Sequence, residues 1–227
     1  MHKLLQSVLL AVSFIVLAAP AAAQSEEQER TESAIRVLDE IMRAPDRAIP
    51  RRMMEEAHAI AVIPSVVKAG LVFGGRHGRG LVSVRSPDGT WSSPSFLSLT
   101  GGSVGFQAGV QATDVVLVFR TARGLDSLMH GKFTLGADAA VAAGPVGRTA
   151  EAKTDTQFRA EIYSYSRSRG LFAGVALDGS ALNVDHRANE LVYGAGTTPR
   201  MAFEGRVANV PSQIVDFRDR LEEITAQ

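Results

Sequence analysis

"KAGLVFGGRHGRGLVSVR", residues Lys68 to Arg85, sets five glycines, three arginines, a lysine and a histidine among apolar residues. A glycine-rich basic loop is one way to hold phosphate, and a tight turn between strands is another use of the same composition. The spacing separates the two. Gly75, Gly78 and Gly80 form G-x-x-G-x-G, a dinucleotide fingerprint in reverse order, and a strand pattern comes next where that motif needs a helix. No G-K-[ST] is present. "GRHG" also fits the GXXG of a KH loop, but its flanks read as extended rather than helical. The glycines therefore read as turn chemistry between "GLVF" and "LVSV", with Arg76, His77 and Arg79 presented at the turn.

The pattern on either side decides the fold class. "SEEQERTESAIRVLDEIM" (Ser25 to Met42) predicts a helix, with Ser25 and Gln28 as a capping box and acids in the first turn. Pro45 ends it, and Pro50 opens a second short helix through "RRMMEEAHA", with Arg51/Glu55 and Arg52/Glu56 as i,i+4 pairs. From Ala59 the period changes to short strand-like runs: "AIAVIP", "GLVFGG", "RGLVSVRS", and most clearly "DVVLVFR" (Asp114 to Arg120). "SPDGT" at Ser86 to Thr90 reads as a turn. "RGLDSLMHG" (Arg123 to Gly131) reads as a short helix, "FRAEIYSYSRS" (Phe158 to Ser168) and "GLFAGVALDGSAL" (Gly170 to Leu182) as strands. Leu191 to Pro211 reads as a loose segment, and Val210 to Ile224 as a closing helix. Helices, then many strands, then a helix predict an α+β fold: N-terminal helices, a curved, mostly antiparallel sheet or half-barrel of short Gly-rich strands, and a C-terminal helix.

The 227 residues carry no net charge, so composition makes no case for nucleic acid. The charge is uneven, however. Between Ala61 and Leu135 the bases are Lys68, Arg76, Arg79, Arg85, Arg120, Arg123 and Lys132, against Asp88, Asp114 and Asp126. The N-terminal "SVLLAVSFIVLAA" (Ser7 to Ala19), with small residues after it at Ala21 and Ala23, reads as a secretory signal peptide over 1–23. That run is shorter than the roughly 20 apolar residues of a comfortable span. The absence of cysteine excludes disulfides and thiolate metal sites. The five histidines show no metal-ligand spacing, and nothing calls for a cofactor.

One catalytic pattern occurs. "GGSVG" places Ser103 as in a nucleophile elbow, with Asp114 or Asp126 and then His130 or His186 behind it. An elbow needs a helix after the serine, and "FQAGVQA" reads as extended. Trp91 reads as a core anchor. Tyr163 and Tyr165, two apart on one strand, face the same side, either as a contact surface with Arg167 and Arg169 or as core.

Taken in order, "AVIPSVVKAGLVFGGRHGRGLVSVR", "WSSPSFLSLTGGSVGFQAGVQATDVVLVF", "GPVGR" (Gly144 to Arg148) and "IYSYSRSRGLFAGVALDGSAL" resemble the SYLF-domain family over roughly Ala57 to Tyr193. Eukaryotic members bind phosphoinositides and, in some, actin filaments, while bacterial members are typically exported lipid-binding proteins. The resemblance implies a non-enzymatic domain that binds anionic phospholipid at a membrane surface. It divides the chain into a signal peptide (1–23), a helical segment (24–56), a SYLF-like domain (57–194) and a C-terminal segment (195–227), in a periplasmic or secreted protein. Basic residues supply the lipid chemistry: Lys68, Arg76, His77, Arg79 and Arg85 are the candidate contacts. The short helix, with Arg51, Arg52, Met53 and Met54, is a candidate membrane-contact wedge. An envelope structural or protein-interaction module and a hydrolase using Ser103 are the alternatives; no protein partner is identified.

Overall fold

In the computed structural model the described residues are 24–41, 43, 49–70, 73–104, 109–129, 132–146, 160–168 and 171–226. The signal-peptide reading of 1–23 lies outside them, as does His130. Helix α1 (24–41) is succeeded by α2 (Arg51–Glu55) and four long strands, β1 (Ala59–Gly70), β2 (Phe73–Val84), β3 (Ser95–Val104) and β4 (Gly109–Phe119). Next come α3 (Ala122–Met129), β5 (Lys132–Thr134), β6 (Val141–Ala143), β7 (Ile162–Ser168), β8 (Leu171–Gly174) and β9 (Ala181–Val184). Three helices close the chain: α4 (His186–Tyr193), α5 (Pro199–Phe203) and α6 (Ser212–Ala226).

The nine described strands form one curled half-barrel in the order β5-β9-β3-β2-β1-β4-β7-β6, with β8 also on β7. Every pairing is antiparallel except β6 with β7. The β1–β2 hairpin is thus inserted between β3 and β4, which are consecutive in sequence.

Both faces of the sheet are covered, which is why "AIAVI" is apolar at every position instead of alternating. On one side, the α1 face, Ile60, Val62, Leu81, Val116, Val118, Tyr163 and Tyr165 meet a core built with α1, α2, α4 and α6. On the other, the α3 face, Ala59, Ala61, Ile63, Val82, Val115, Leu117 and Phe119 meet a second core with Leu125 and Leu128 of α3 and Leu177. Both tyrosines are buried core residues, not a contact surface. Trp91 is 2% exposed, and its indole N–H donates to Thr225 Oγ1 at 2.9 Å.

Four sequence expectations need correction. "GGRHGRG" is not a turn: all of it lies inside β2. Its glycines answer to crowding. A Cβ on Gly78 would sit 2.7 Å from Val66 Cγ2, and one on Gly80 would sit 2.2 Å from the Val62 carbonyl oxygen, because β1 curls tightly over β2. α2 spans five residues and stops before His58, since Ala59 already belongs to the ladder. α1 is helical from Gln24, so Ser25 sits within the helix and is not its cap. The stretch from Leu191 to Pro211 is not loose: it holds the end of α4 and all of α5. Asp185 caps α4 by accepting the Ala188 N–H at 3.0 Å, and fully buried Asn189 accepts the Phe96 N–H at 3.0 Å. The "SPDGT" turn holds, with Asp88 Oδ1 accepting the Thr90 N–H at 3.0 Å and Gly89 at φ +90°. Strands β5 and β6, three residues each, have no counterpart in the sequence reading.

Candidate functional site

The site is built by one irregularity. β1 pairs with β4 as Ile63↔Val115 and then Val66↔Thr113, so Pro64 and Ser65 bulge the strand by one residue. Ser65 adopts φ +50°, uncommon for a residue with a side chain. Because side chains alternate, one extra residue exchanges the faces of everything beyond it. Before the bulge the even-numbered residues Ile60 and Val62 face α1; after it, Val66 faces α3. Lys68 is consequently carried to the α3 face, where it opposes Arg76 on β2 and Gln111 on β4.

Arg76 is half-buried there. One guanidinium nitrogen, Nη1, donates to the Ala176 carbonyl at 3.1 Å, while Nε is buried with no partner among the described residues. Burial lowers its pKa from the ordinary arginine value, and no carboxylate among the described residues offsets the effect. Opposite Arg76 lies Gly101, where a Cβ would come 2.5 Å from Ser180 Oγ. That hydroxyl is also buried without a partner among the described residues. Two neighbouring cations without a carboxylate among the described residues, one of them partly desolvated, suit an oxyanion such as a phosphate.

Arg79 and Arg85 are occupied. Arg79, on the α1 face, pairs with Glu26, with Glu27 at 3.2 Å and with Asp185 at 3.5 Å. Arg30 joins the same cluster, 2.7 Å from Glu27 and stacked 5.7 Å over the Phe96 ring. Arg85 lies past the end of β2, donating to the Gly89 carbonyl at 3.1 Å and to the Glu55 carbonyl, with its guanidinium 6.0 Å over Trp91. His77 is exposed on the α1 face, beside Val67, in a cleft of about 300 Å³ walled by Glu26, Glu29 and Ser33.

Arg51 and Arg52 are exposed and paired with Glu55 at 2.6 Å and Glu56 at 2.7 Å. Met53 and Met54, the expected wedge, are each 1% exposed and belong to the α1-face core. Of the five candidate lipid contacts, the structure therefore opposes Lys68 and Arg76 on the α3 face and sets His77 and Arg79 along one cleft on the α1 face. Residues missed in the sequence complete the surroundings: Gln111, Gly101 and the 176–180 loop with Ser180. Only the glycines of "GGSVG" hinted at a close approach there.

Ser103 lies in β3, and the next described element is strand β4, whereas a nucleophile elbow sets a helix directly after its serine. Among the described residues no group of three or more His, Cys, Asp or Glu could hold a metal ion, and no helix is long and apolar enough to cross a membrane.

Comparison with known proteins gives a consistent result. Residues 100–224 match the Ysc84 family, described as Las17-binding protein actin regulator. The chain is 38% identical over 176 residues to LAS seventeen-binding protein 3 of Saccharomyces cerevisiae, covering 76% of this chain and 38% of that protein. It is 39% identical over 170 residues to Protein YSC84 of the same yeast, covering 74% and 36%. It is 35% identical over 193 residues to the human SH3 domain-containing YSC84-like protein 1, covering 80% and 53%. The chain thus spans about half or less of the length of these relatives. The half-barrel, the ordered motifs and these matches together make the chain a member of the Ysc84 (SYLF) domain family.

Proposed function

We propose that this chain is an exported, non-enzymatic domain that binds anionic phospholipid headgroups at a membrane surface through Lys68 and Arg76. The observation that carries the reading is the half-buried Arg76, whose Nε has no partner and which no carboxylate neutralises among the described residues. A cation left in that state forgoes hydration without an ion pair in return, and a headgroup phosphate supplies the missing acceptor. Each basic residue at an anionic bilayer adds about 1 kcal/mol, or about fivefold in affinity. The apolar run from Ser7 to Ala19 supports export.

Vesicle flotation tests this. The protein is expected to float with phosphatidylglycerol-containing vesicles, not with phosphatidylcholine alone, and to be released as salt rises. Arg76→Gln is expected to weaken flotation about fivefold and Lys68→Gln by a similar factor. Equal flotation with both vesicle types, or none, overturns the proposal.

A second reading is favoured by the relatives' names, which describe proteins that bind Las17. In that reading the domain docks a protein partner. Salt-insensitive capture of a protein, unchanged in Arg76→Gln, with no vesicle binding would select it.

A further inference from the structure

The bulge that delivers Lys68 to the α3 face has a second effect on the α1 face. It turns Val67 and Ala69 outward beyond the reach of the helix layer. Val67 pairs with Ala112, and Ala69 with Val110, so Val67 and Val110 are diagonal neighbours on one face of the β1–β4 ladder. Val67 is 43% and Val110 77% exposed, and Ala69 and Ala112 are exposed as well. Elsewhere among the described residues Val210 is the one other large apolar side chain with such exposure. The same strand end is therefore amphipathic across its thickness: small apolar side chains on the α1 face, Lys68, Arg76 and Gln111 on the α3 face.

We infer that this sheet end enters an anionic bilayer edge-on, with Val110, Ala69, Ala112 and Val67 in the headgroup–acyl boundary and Lys68 and Arg76 against phosphates. The inference rests on the phospholipid reading above and adds the element that penetrates and its orientation. Charge complementarity names the occupant. Among the described residues the neighbouring cations lack carboxylate partners, and an anionic surface is what supplies counter-charge and an apolar layer at adjacent depths. A protein groove would have to supply both on opposite sides of one sheet.

The α1 helix sets the depth limit. Glu26 and Glu29 stand over the cleft that Val67 and His77 line. Glu26 is held by Arg79, and both carboxylates face what would be an anionic surface. Insertion past Val67 brings like charges together, so of these four side chains Val110 and Ala69 lie deepest and Val67 at the rim.

The chain has no cysteine, so single-cysteine variants of the full chain take an environment-sensitive fluorophore at one place. Labels at Val110→Cys, Val67→Cys and, as a distant exposed control on α6, Asp216→Cys are compared on vesicles of equal parts phosphatidylcholine and phosphatidylglycerol. The label at 110 is expected to shift to the blue and to be quenched by acyl-chain nitroxide lipids, that at 67 to respond less, and that at 216 to stay aqueous. Val110→Glu is expected to lower vesicle partitioning about tenfold while circular dichroism is unchanged. Flotation with labels 110 and 67 both remaining in water, or Val110→Glu partitioning like the parent, overturns the insertion and leaves headgroup binding standing. Absence of flotation in the unlabelled protein overturns both.

Discussion

Asp114 Oδ1 accepts the backbone N–H of Ser65 at 2.9 Å, tying β4 to the bulge of β1. Its other oxygen accepts from Arg167 Nε at 2.9 Å and lies 2.8 Å from Nη2, and Arg167 reaches on to Glu40 of α1. The bulge, the adjacent strand and the covering helix are thus fixed by one carboxylate. Asp114→Ala removes the acceptor from a left-handed backbone position and leaves the half-buried Arg167 with one partner. It is expected to lower stability by about 2 kcal/mol, and Asp114→Asn, which keeps an acceptor but loses the charge, by less. Urea unfolding midpoints decide this; an unchanged midpoint in the alanine variant would refute the clamp.

The glycines of β2 and β3 divide by what surrounds them. Gly80→Ala drives a methyl into the Val62 carbonyl, a backbone atom that has little room to move, and Gly78→Ala into Val66 and Ile63 side chains. Gly102→Ala meets nothing within 4 Å. The expected losses are about 3 kcal/mol for Gly80→Ala, somewhat less for Gly78→Ala, and no loss for Gly102→Ala. Thermal unfolding of the three variants checks the order, and equal midpoints would return these glycines to the status of spacers.

Much of this fold was legible from periodicity. "DVVLVFR" became the middle of the sheet, and the paired arginines and glutamates of α2 sit where i,i+4 spacing put them. The α+β order, with its curled sheet, was legible from the glycines between apolar runs. Where the reading failed, each failure has a physical cause. "GGRHGRG" reads as a turn because local propensity is blind to the bend of the paired strand, and the requirement for glycine at 78 and 80 comes from Val62 to Val66 of β1. α4 and α5 carry weak apolar faces, and α4 is anchored by Asn189 and by the Tyr193 hydroxyl donating to the Pro94 carbonyl at 2.6 Å. The Asp185 and Thr198 caps were the local signals available. At the site, composition marked five cations as equivalent. Their separation into Lys68 and Arg76 against Arg79 and Arg85 depends on a bulge, on acids of α1 some 50 residues away that hold Arg79, and on the Glu55 and Gly89 carbonyls that hold Arg85.

The two buried or paired glutamates are expected to respond to pH with opposite sign. Burial raises the Glu27 pKa above the ordinary 4.5, even with Arg30 and Arg79 beside it. Its contribution is fully present below 4.5 and is lost as pH rises through the higher folded value. Hydrogen bonding from Arg52 lowers the Glu56 pKa below 4.5, so its contribution is present above 4.5 and is lost as pH falls through the lower folded value. Comparing urea midpoints between pH 3 and 7, the parent should lose its advantage over Glu56→Gln on acidification. Relative to Glu27→Gln the parent should gain as pH falls toward 4.5. Parallel profiles for both variants would contradict the assigned directions.

Trp91 and Thr225 join the strand edge to the last turn of α6 by a buried hydrogen bond, beside a longer one of 3.4 Å from the Trp91 backbone N–H to Glu222 Oε1. The indole N–H has its acceptor in Thr225 Oγ1 at 2.9 Å, and the threonine hydroxyl itself donates to the Leu221 carbonyl at 2.8 Å within the helix. Thr225→Val keeps the shape of the side chain and leaves the indole nitrogen without an acceptor in a site that water does not reach. The expected cost is about 1–3 kcal/mol. Trp91 is the one tryptophan in the chain, so its emission reports this contact without background. In Thr225→Val the folded-state emission should change while the unfolded-state spectrum stays that of the parent, and the unfolding midpoint should fall. Thr225→Ser, which restores the acceptor and removes only a methyl, should recover most of the stability. If the serine variant unfolds with the valine variant, packing of the methyl rather than the hydrogen bond holds α6 to the sheet.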